Sequence, residues 1–240
     1  MSIYAISDLH LSFASPKPMD IFNPVWKDHP RKLRENWDRM VSPSDIVLLP
    51  GDLSWGMTLA DARPDLQFVE ERPGRKVLTR GNHDFWWQRK ATNRIQKTID
   101  KSFTFLQGTS VVMDGVGITG TRGWRLEKWM AMTEGDPSIQ AEVAQSEKVL
   151  ARELKYLESG LASIPDSVEL KIVMLHFPPF DERLQPNNFT AVLHKYNVDI
   201  VVYGHVHLTG GAWLEGQMDG IRYVMASADV ANFVPRLIIP

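Results

Sequence analysis

Arg80-Gly81-Asn82-His83-Asp84 follows directly on Lys76-Val77-Leu78-Thr79, and the junction between the two decides the fold. The apolar run reads as a buried strand, and the glycine permits a sharp turn that brings an amide, an imidazole and a carboxylate into one space. Polar groups at the end of a buried strand are where helix-covered sheets carry their ligands. Taken alone, the pentapeptide is also compatible with an ordinary polar turn.

Working outward, the same pattern recurs. Ile3 to Ser7 is a short apolar run ending in Asp8-Leu9-His10, and residues two apart on an extended chain share a face. Asp45 to Pro50 is a second buried-strand candidate and ends in Gly51-Asp52. Lys171 to Leu175 runs into His176, and Asp199 to Tyr203 runs into Gly204-His205-Val206-His207. His10, His83, His176, His205 and His207 thus sit at strand ends, while His29 and His194 read as surface residues. Packing alone does not require this coincidence.

Between the strands, Leu33, Trp37, Met40 and Val41, and then Leu59, Ala62, Leu66 and Val69, fall at helical spacing. A strand, loop, helix rhythm of this kind predicts an α/β fold with a mostly parallel sheet. Ser12 to Asp28, rich in Pro, Asn and Phe, reads as a loop at the mouth of a site. The run Arg89, Lys90, Arg94, Lys97 and Lys101 reads as a solvated face. Phe103 to Gly120 and the last thirty residues, with Ile221 to Ala226 and Leu237 to Ile239, read as antiparallel strands, the latter closing a second sheet. Asp136-Pro137 caps the longest helix, with Ile139, Val143, Leu150, Leu154, Leu157 and Leu161 as its apolar stripe. In Thr121-Arg122-Gly123-Trp124-Arg125, either guanidinium has the fork geometry that suits a substrate anion.

Composition bounds the chemistry. With 240 residues, 43% of them hydrophobic, the chain is expected to form a single domain over 1–240. The formal charge of −2 gives no global attraction to nucleic acid or an anionic membrane. No cysteine is present, so any metal must use nitrogen and oxygen ligands. No apolar run approaches a membrane span and the N-terminus has no signal-peptide pattern, so a soluble cytoplasmic protein is expected. A cluster of carboxylates, one amide and several imidazoles suits Mn, Fe, Zn, Co or Ni rather than Ca or Mg alone. More than six ligands exceed the needs of one ion. Two ions roughly 3.5–4 Å apart would generate a hydroxide at neutral pH and clamp the attacking and leaving oxygens of a phosphoryl group, so phosphoester hydrolysis fits best.

In order along the chain, Asp8-x-His10, Gly51-Asp52, Gly81-Asn82-His83-Asp84, His176 and Gly204-His205-x-His207 resemble the five signature blocks of the calcineurin-like metallophosphoesterases, in particular compact bacterial-type phosphohydrolases. The resemblance implies two facing mixed β-sheets flanked by helices, an αββα sandwich, with a dinuclear site at one edge. It implies that Asp8, His10, Asp52 and His207 hold one metal and that Asp52, Asn82, His176 and His205 hold the other, with Mn, Fe or Zn as the ions. His83 would then be the general acid that protonates the leaving oxygen, and Asp84 would orient a neighbouring imidazole.

The departures narrow the substrate. Serine/threonine protein phosphatases extend the second block as G-D-x-x-D-R-G, whereas Leu53-Ser54-Trp55-Gly56-Met57 follows Asp52 here. A small phosphodiester or phosphomonoester is therefore expected over a phosphoprotein. Arg80 resembles the arginine before G-N-H in those enzymes and is a candidate phosphate contact. Trp55, Trp86, Trp87 and Trp124 lie in or near site loops, where some would pack in the core and others could stack on a nucleotide-like substrate. Regions like the DNA-contacting additions of the superfamily's repair nucleases are not identifiable, so no stable nucleic-acid partner is expected. The alternative is an inactive metal-binding scaffold, as the resemblance to the superfamily's retromer subunit allows. All the ligand positions and His83 are filled, which favours the enzyme.

Overall fold

A computed structural model of the chain describes residues 1–99, 101–125, 137–181, 183–210 and 212–240. The first sheet contains β1 (Ile3–Ala5), β2 (Ile46–Pro50), β3 (Arg75–Thr79), β4 (Phe103–Leu106) and β11 (Arg236–Ile239), in the order β11-β1-β2-β3-β4. The second contains β5 (Ser110–Met113), β6 (Val116–Thr121), β7 (Leu170–Leu175), β8 (Ile200–Tyr203), β9 (Gly216–Met218) and β10 (Ile221–Met225), in the order β5-β6-β7-β8-β10-β9. Within the first sheet β1 to β4 are parallel, and within the second β6, β7, β8 and β10 are parallel.

Each central strand is buried on both faces, which is why it reads as a continuous apolar run rather than an alternating one. Alternate residues go to different cores. Ile3, Ile46, Leu48 and Val77 face Ile172, Met174, Val202 and Val224 between the sheets. Val47, Leu49 and Leu78 turn outward against Leu33 and Trp37 of α1 (His29–Met40), Leu66 and Val69 of α2 (Leu59–Glu70) and Ile95 of α3 (Thr92–Thr98). On the far side, Val173, Leu175, Val201 and Tyr203 pack beneath Leu157 and Leu161 of α4 (Pro137–Ala162) and Phe189 and Leu193 of α5 (Asn188–Lys195). Helix, sheet, sheet and helix form the expected αββα sandwich. Among the described residues no helix is long and apolar enough to cross a membrane.

Local chemistry sets the ends. Thr58 and Asp61 form a reciprocal capping box at the start of α2, and Asn187 with Thr190 does the same for α5. The exposed ends of the charge run, Lys90, Arg94, Lys97 and Lys101, are solvated as expected.

Three readings change. Of the segment 103–120, β5 and β6 form an antiparallel hairpin, but β4 joins the first sheet parallel to β3. The tail is split between the sheets: β10 lies antiparallel to β9, as expected, but parallel to β8 in the second, and β11 lies antiparallel to β1 in the first. Strand partners are chosen by distant segments, so local pattern cannot assign them. His29 is buried at 8% exposure, with Nδ1 hydrogen-bonded to the Trp26 carbonyl at 3.1 Å, and is not a surface residue. Asp136, the expected cap of α4, lies outside the described residues.

Candidate metal centre

Because β1, β2 and β3 are adjacent and parallel, and β7, β8 and β10 likewise, their C-terminal ends lie along one edge of each sheet. The two edges meet there. Ser7, just past β1, bridges in parallel to Ser227, just past β10, with Ser7 N–H donating to Ala226 O at 2.7 Å. This closure brings the ends of strands far apart in the chain into one pocket.

Asp8, His10, Asp52 and His176 are buried there, and Asn82, His83, His205 and His207 are half-buried. Asp8, His10 and His207 offer ligand atoms within 4.8 Å of one another, and so do Asp8, Asp52 and His176. Asp52 Oδ2 lies 3.4 Å from His176 Nε2 and 3.9 Å from His10 Nε2, so one oxygen faces both groups. His10 Nε2 and His207 Nε2 face each other at 3.3 Å, and Asn82 Oδ1 lies 2.7 Å from His176 Nε2. His205 belongs to neither close group; its ring stands 5.0 Å from that of His176 and 4.0 Å from that of Phe177.

The backbone is bent to make this arrangement. Asp8, His10, Asp52 and His205 all have left-handed φ, at 55°, 47°, 54° and 71°, a conformation that costs a non-glycine residue roughly 1–2 kcal/mol. Hydrogen bonds hold them. Asp8 N–H donates to Gly51 O at 3.0 Å, and the Asp8 carboxylate accepts from Ser7 Oγ at 2.5 Å, Ser227 Oγ at 3.0 Å and His205 N–H at 3.0 Å. Gly204 permits that last approach, since a Cβ there would collide with the Asp8 carboxylate and the Ser7 hydroxyl.

The donor set fits cations. His176 Nδ1 lies 3.1 Å from the Pro50 carbonyl, which can only accept, so the ring proton is on Nδ1 and Nε2 presents a lone pair. With Asn82 placed oxygen inward, that lone pair faces Oδ1 as two acceptors of a shared cation do. Burial above all pulls His10 well below its usual value and takes His176 and His205 down to about 3, so all three imidazoles are neutral at pH 7. Burial, then the charges of Asp8 and Asp84, pushes Asp52 well above the carboxylate range. Burial also acts against the charged form of His207, but the hydrogen bond to Asp229 and the Asp8 and Asp229 charges outweigh it and raise that group.

His83 is placed beside these groups. Its N–H donates to Asp52 Oδ1 at 2.8 Å, its ring is 4.2 Å from Trp55 and 5.6 Å from His10, and its buried Nδ1 has no hydrogen-bond partner among the described residues. Burial, then Lys17 and His207, takes it to about 4. Asp84 does not orient an imidazole. Its carboxylate accepts from the N–H groups of Asp52, Leu53, Ser54 and Gly81 at 2.9, 3.0, 3.2 and 2.8 Å and from Trp86 Nε1 at 3.0 Å, tying the loop after β2 to the loop after β3.

The imidazole-orienting carboxylate is instead Asp229, whose Oδ1 takes a 3.0 Å hydrogen bond from His207 Nδ1. Its signal was present in the sequence: Ser227-Ala228-Asp229 ends an apolar run just as the other site segments do. The 12–28 loop reaches the site through Trp26, which meets His10 and His207 edge-on at 5.7 and 5.8 Å. Of the four tryptophans near site loops, Trp86 and Trp87 are core residues, whereas Trp55 stacks on His10 at 5.0 Å.

A family model described as calcineurin-like phosphoesterase matches residues 1–208. The Gene 66 protein of Mycobacterium phage D29 is 39% identical over 84 residues, which are 35% of this chain and 40% of that protein. Its counterpart in phage L5 is 38% identical over 80 residues, 32% of this chain and 37% of that one. The chain thus spans about two fifths of the length of the curated relatives it matches. Among solved structures, phosphopantetheinyl hydrolase from Mycobacterium tuberculosis superposes with a TM-score of 0.55 at 16% identity, covering 100% of this chain and 96% of that one, a likeness of fold. On a family match that takes in every one of the strand-end segments carrying Asp8, His10, Asp52, Asn82, His83, His176, His205 and His207, the chain belongs to the calcineurin-like phosphoesterase family.

Proposed function

We propose that the chain is a phosphohydrolase acting on small phosphodiesters or phosphomonoesters with two transition-metal ions, Mn, Fe or Zn. Asp8, His10, Asp52 and His207 would hold one ion and Asp52, Asn82, His176 and His205 the other. The observation that carries this reading is the pair of facing acceptors, Asn82 Oδ1 and His176 Nε2 at 2.7 Å, beside an Asp52 oxygen that also faces His10. When bound, such ions supply Lewis acidity toward a phosphoryl oxygen and lower the pKa of water.

The chain's own residues do the rest. Trp26 and Trp55 exclude water from the His10 side. His83 stands beside Asp52 without belonging to either ligand group, positioned to give a proton to the leaving oxygen. Its low value in the free protein calls for an anion nearby, which a phosphoryl substrate provides.

The test is turnover after reconstitution with each metal, comparing bis(p-nitrophenyl) phosphate, p-nitrophenyl phosphate and a phosphoserine protein. Hydrolysis of the small substrates is expected. Efficient action on the phosphoprotein with none on diesters would refute the substrate class, and no turnover with any metal would favour the scaffold.

Asp229→Ala is expected to weaken metal binding about 10–100-fold, because it frees the His207 ring that Asp229 now orients. Metal titration of the chelated protein checks this, and unchanged affinity would assign Asp229 to loop packing alone.

A further inference from the structure

Past β6 the chain turns through Thr121-Arg122-Gly123-Trp124, and α4 crosses over it. Gln145, Ser146, Val149 and Arg152 share one face of that helix and line a cleft of about 620 Å³ whose other wall is Arg122 and Trp124. Trp124 Nε1 donates to Ser146 Oγ at 2.7 Å, which fixes the two walls together. The cleft adjoins the metal centre. The N–H groups of His176 and Phe177 donate to Arg122 O at 3.1 and 2.9 Å, and the rings of Trp124, Phe177 and His205 follow one another at 5.1 and 4.0 Å.

Among the described residues Arg122 closes no ion pair: the charges of Glu153 and Asp52 act on it without a direct contact, and Glu142 of α4 lines the same cleft. The Arg122 guanidinium lies 4.5 Å from the Trp124 ring, and its buried Nε has no hydrogen-bond partner among the described residues. The nearby carboxylate does not meet that need: Glu153, 1% exposed, accepts from Arg152 at 3.1 Å and from the Thr121 hydroxyl. Burial draws Arg122 down to about 10, against the pull of Glu153, so the group is still charged at neutral pH. A half-buried guanidinium held beside a phosphoryl site and facing an open, partly apolar cleft is built to take a second anion.

We propose that this cleft receives the part of the substrate beyond the scissile phosphorus, with Arg122 pairing a second phosphate and the organic group lying along Trp124 and Val149. The substrate class is then a nucleoside diphosphate type, and Arg122 is its specificity-determining residue. This deepens the phosphohydrolase reading and rests on it.

Calorimetric titration of ADP and of adenosine into the full chain, held metal-free with EDTA, tests the assignment without chemistry. ADP is expected to bind at least about tenfold more tightly than adenosine, as a charge-assisted phosphate contact provides. Arg122→Gln should bring the two ligands within about twofold of each other, and Arg122→Lys, which keeps the charge but not the fork, should retain part of the preference. Trp124→Ala should weaken both ligands. Melting curves verify that each variant is folded. No binding of ADP, equal binding of ADP and adenosine, or a preference that survives Arg122→Gln in folded protein would overturn the proposal. Turnover of bis(p-nitrophenyl) phosphate without ADP binding removes the cleft assignment alone, whereas ADP binding without turnover removes the phosphohydrolase reading alone.

Discussion

Asp52→Ala is expected to leave purified protein with less than one bound transition-metal ion per chain after reconstitution, where the parent takes up two. Activity should fall at least about 10³-fold, or ~4 kcal/mol of transition-state stabilisation. The reason is geometric. Asp52 Oδ2 faces His176 Nε2 at 3.4 Å and His10 Nε2 at 3.9 Å, so its removal takes a ligand from both proposed sites at once. Loss of fold is the competing explanation, and Asp52→Asn separates the two because it keeps the shape and an acceptor for the His83 N–H. Burial and the Asp8 and Asp84 charges disfavour the ionised Asp52 in the metal-free pocket. A carboxyl whose value is raised on folding opposes the folded state at neutral pH, where it must ionise. Metal-free Asp52→Asn should therefore melt no lower than metal-free parent, yet gain little on adding metal. Two equivalents of metal with parental turnover in Asp52→Ala would overturn the dinuclear reading.

His83→Ala should keep both metals and lose roughly 10²–10⁴ in rate on an alkyl phosphoester, the size of a general-acid contribution. That corresponds to about 3–5 kcal/mol. A p-nitrophenyl group leaves readily as an anion, so its rate should fall far less. The structure motivates the contrast: the His83 N–H is fixed to Asp52, yet its imidazole lies outside both close ligand groups and has an unpartnered Nδ1. Metal content and the two rates are read from the same preparation. If metal is lost, or if both leaving groups suffer equally with metal retained, His83 is a packing or ligand-positioning residue and not the acid.

Much of this site was legible because strands buried on both faces announce themselves as apolar runs, and a carboxylate or imidazole stands out where such a run stops. Asp8, Asp52, Asn82, His83, His176, His205 and His207 were all visible in that way. Asp229 carries the same mark after β10, at the end of the run Ile221 to Ala226. The role of Asp84 had no local signal: its acceptors' partners are backbone N–H groups up to 32 residues away. His29 looked like a surface residue because nothing nearby shows that Trp26 folds back over it at 5.2 Å.

By itself the sequence determined which side chains stand at strand ends and which chemistry they can perform, since both follow from residue type and from patterns a few residues long. The tertiary structure decided which of those ends share an edge. Asp8 accepts from the N–H of His205 across 197 positions, and that contact exists only because two sheets pack face to face and close at Ser7 and Ser227. The same packing sets Arg122 and Trp124 against α4 to form the cleft beside the centre. Pairing between distant segments depends on the shape and burial of whole layers, which no local pattern encodes.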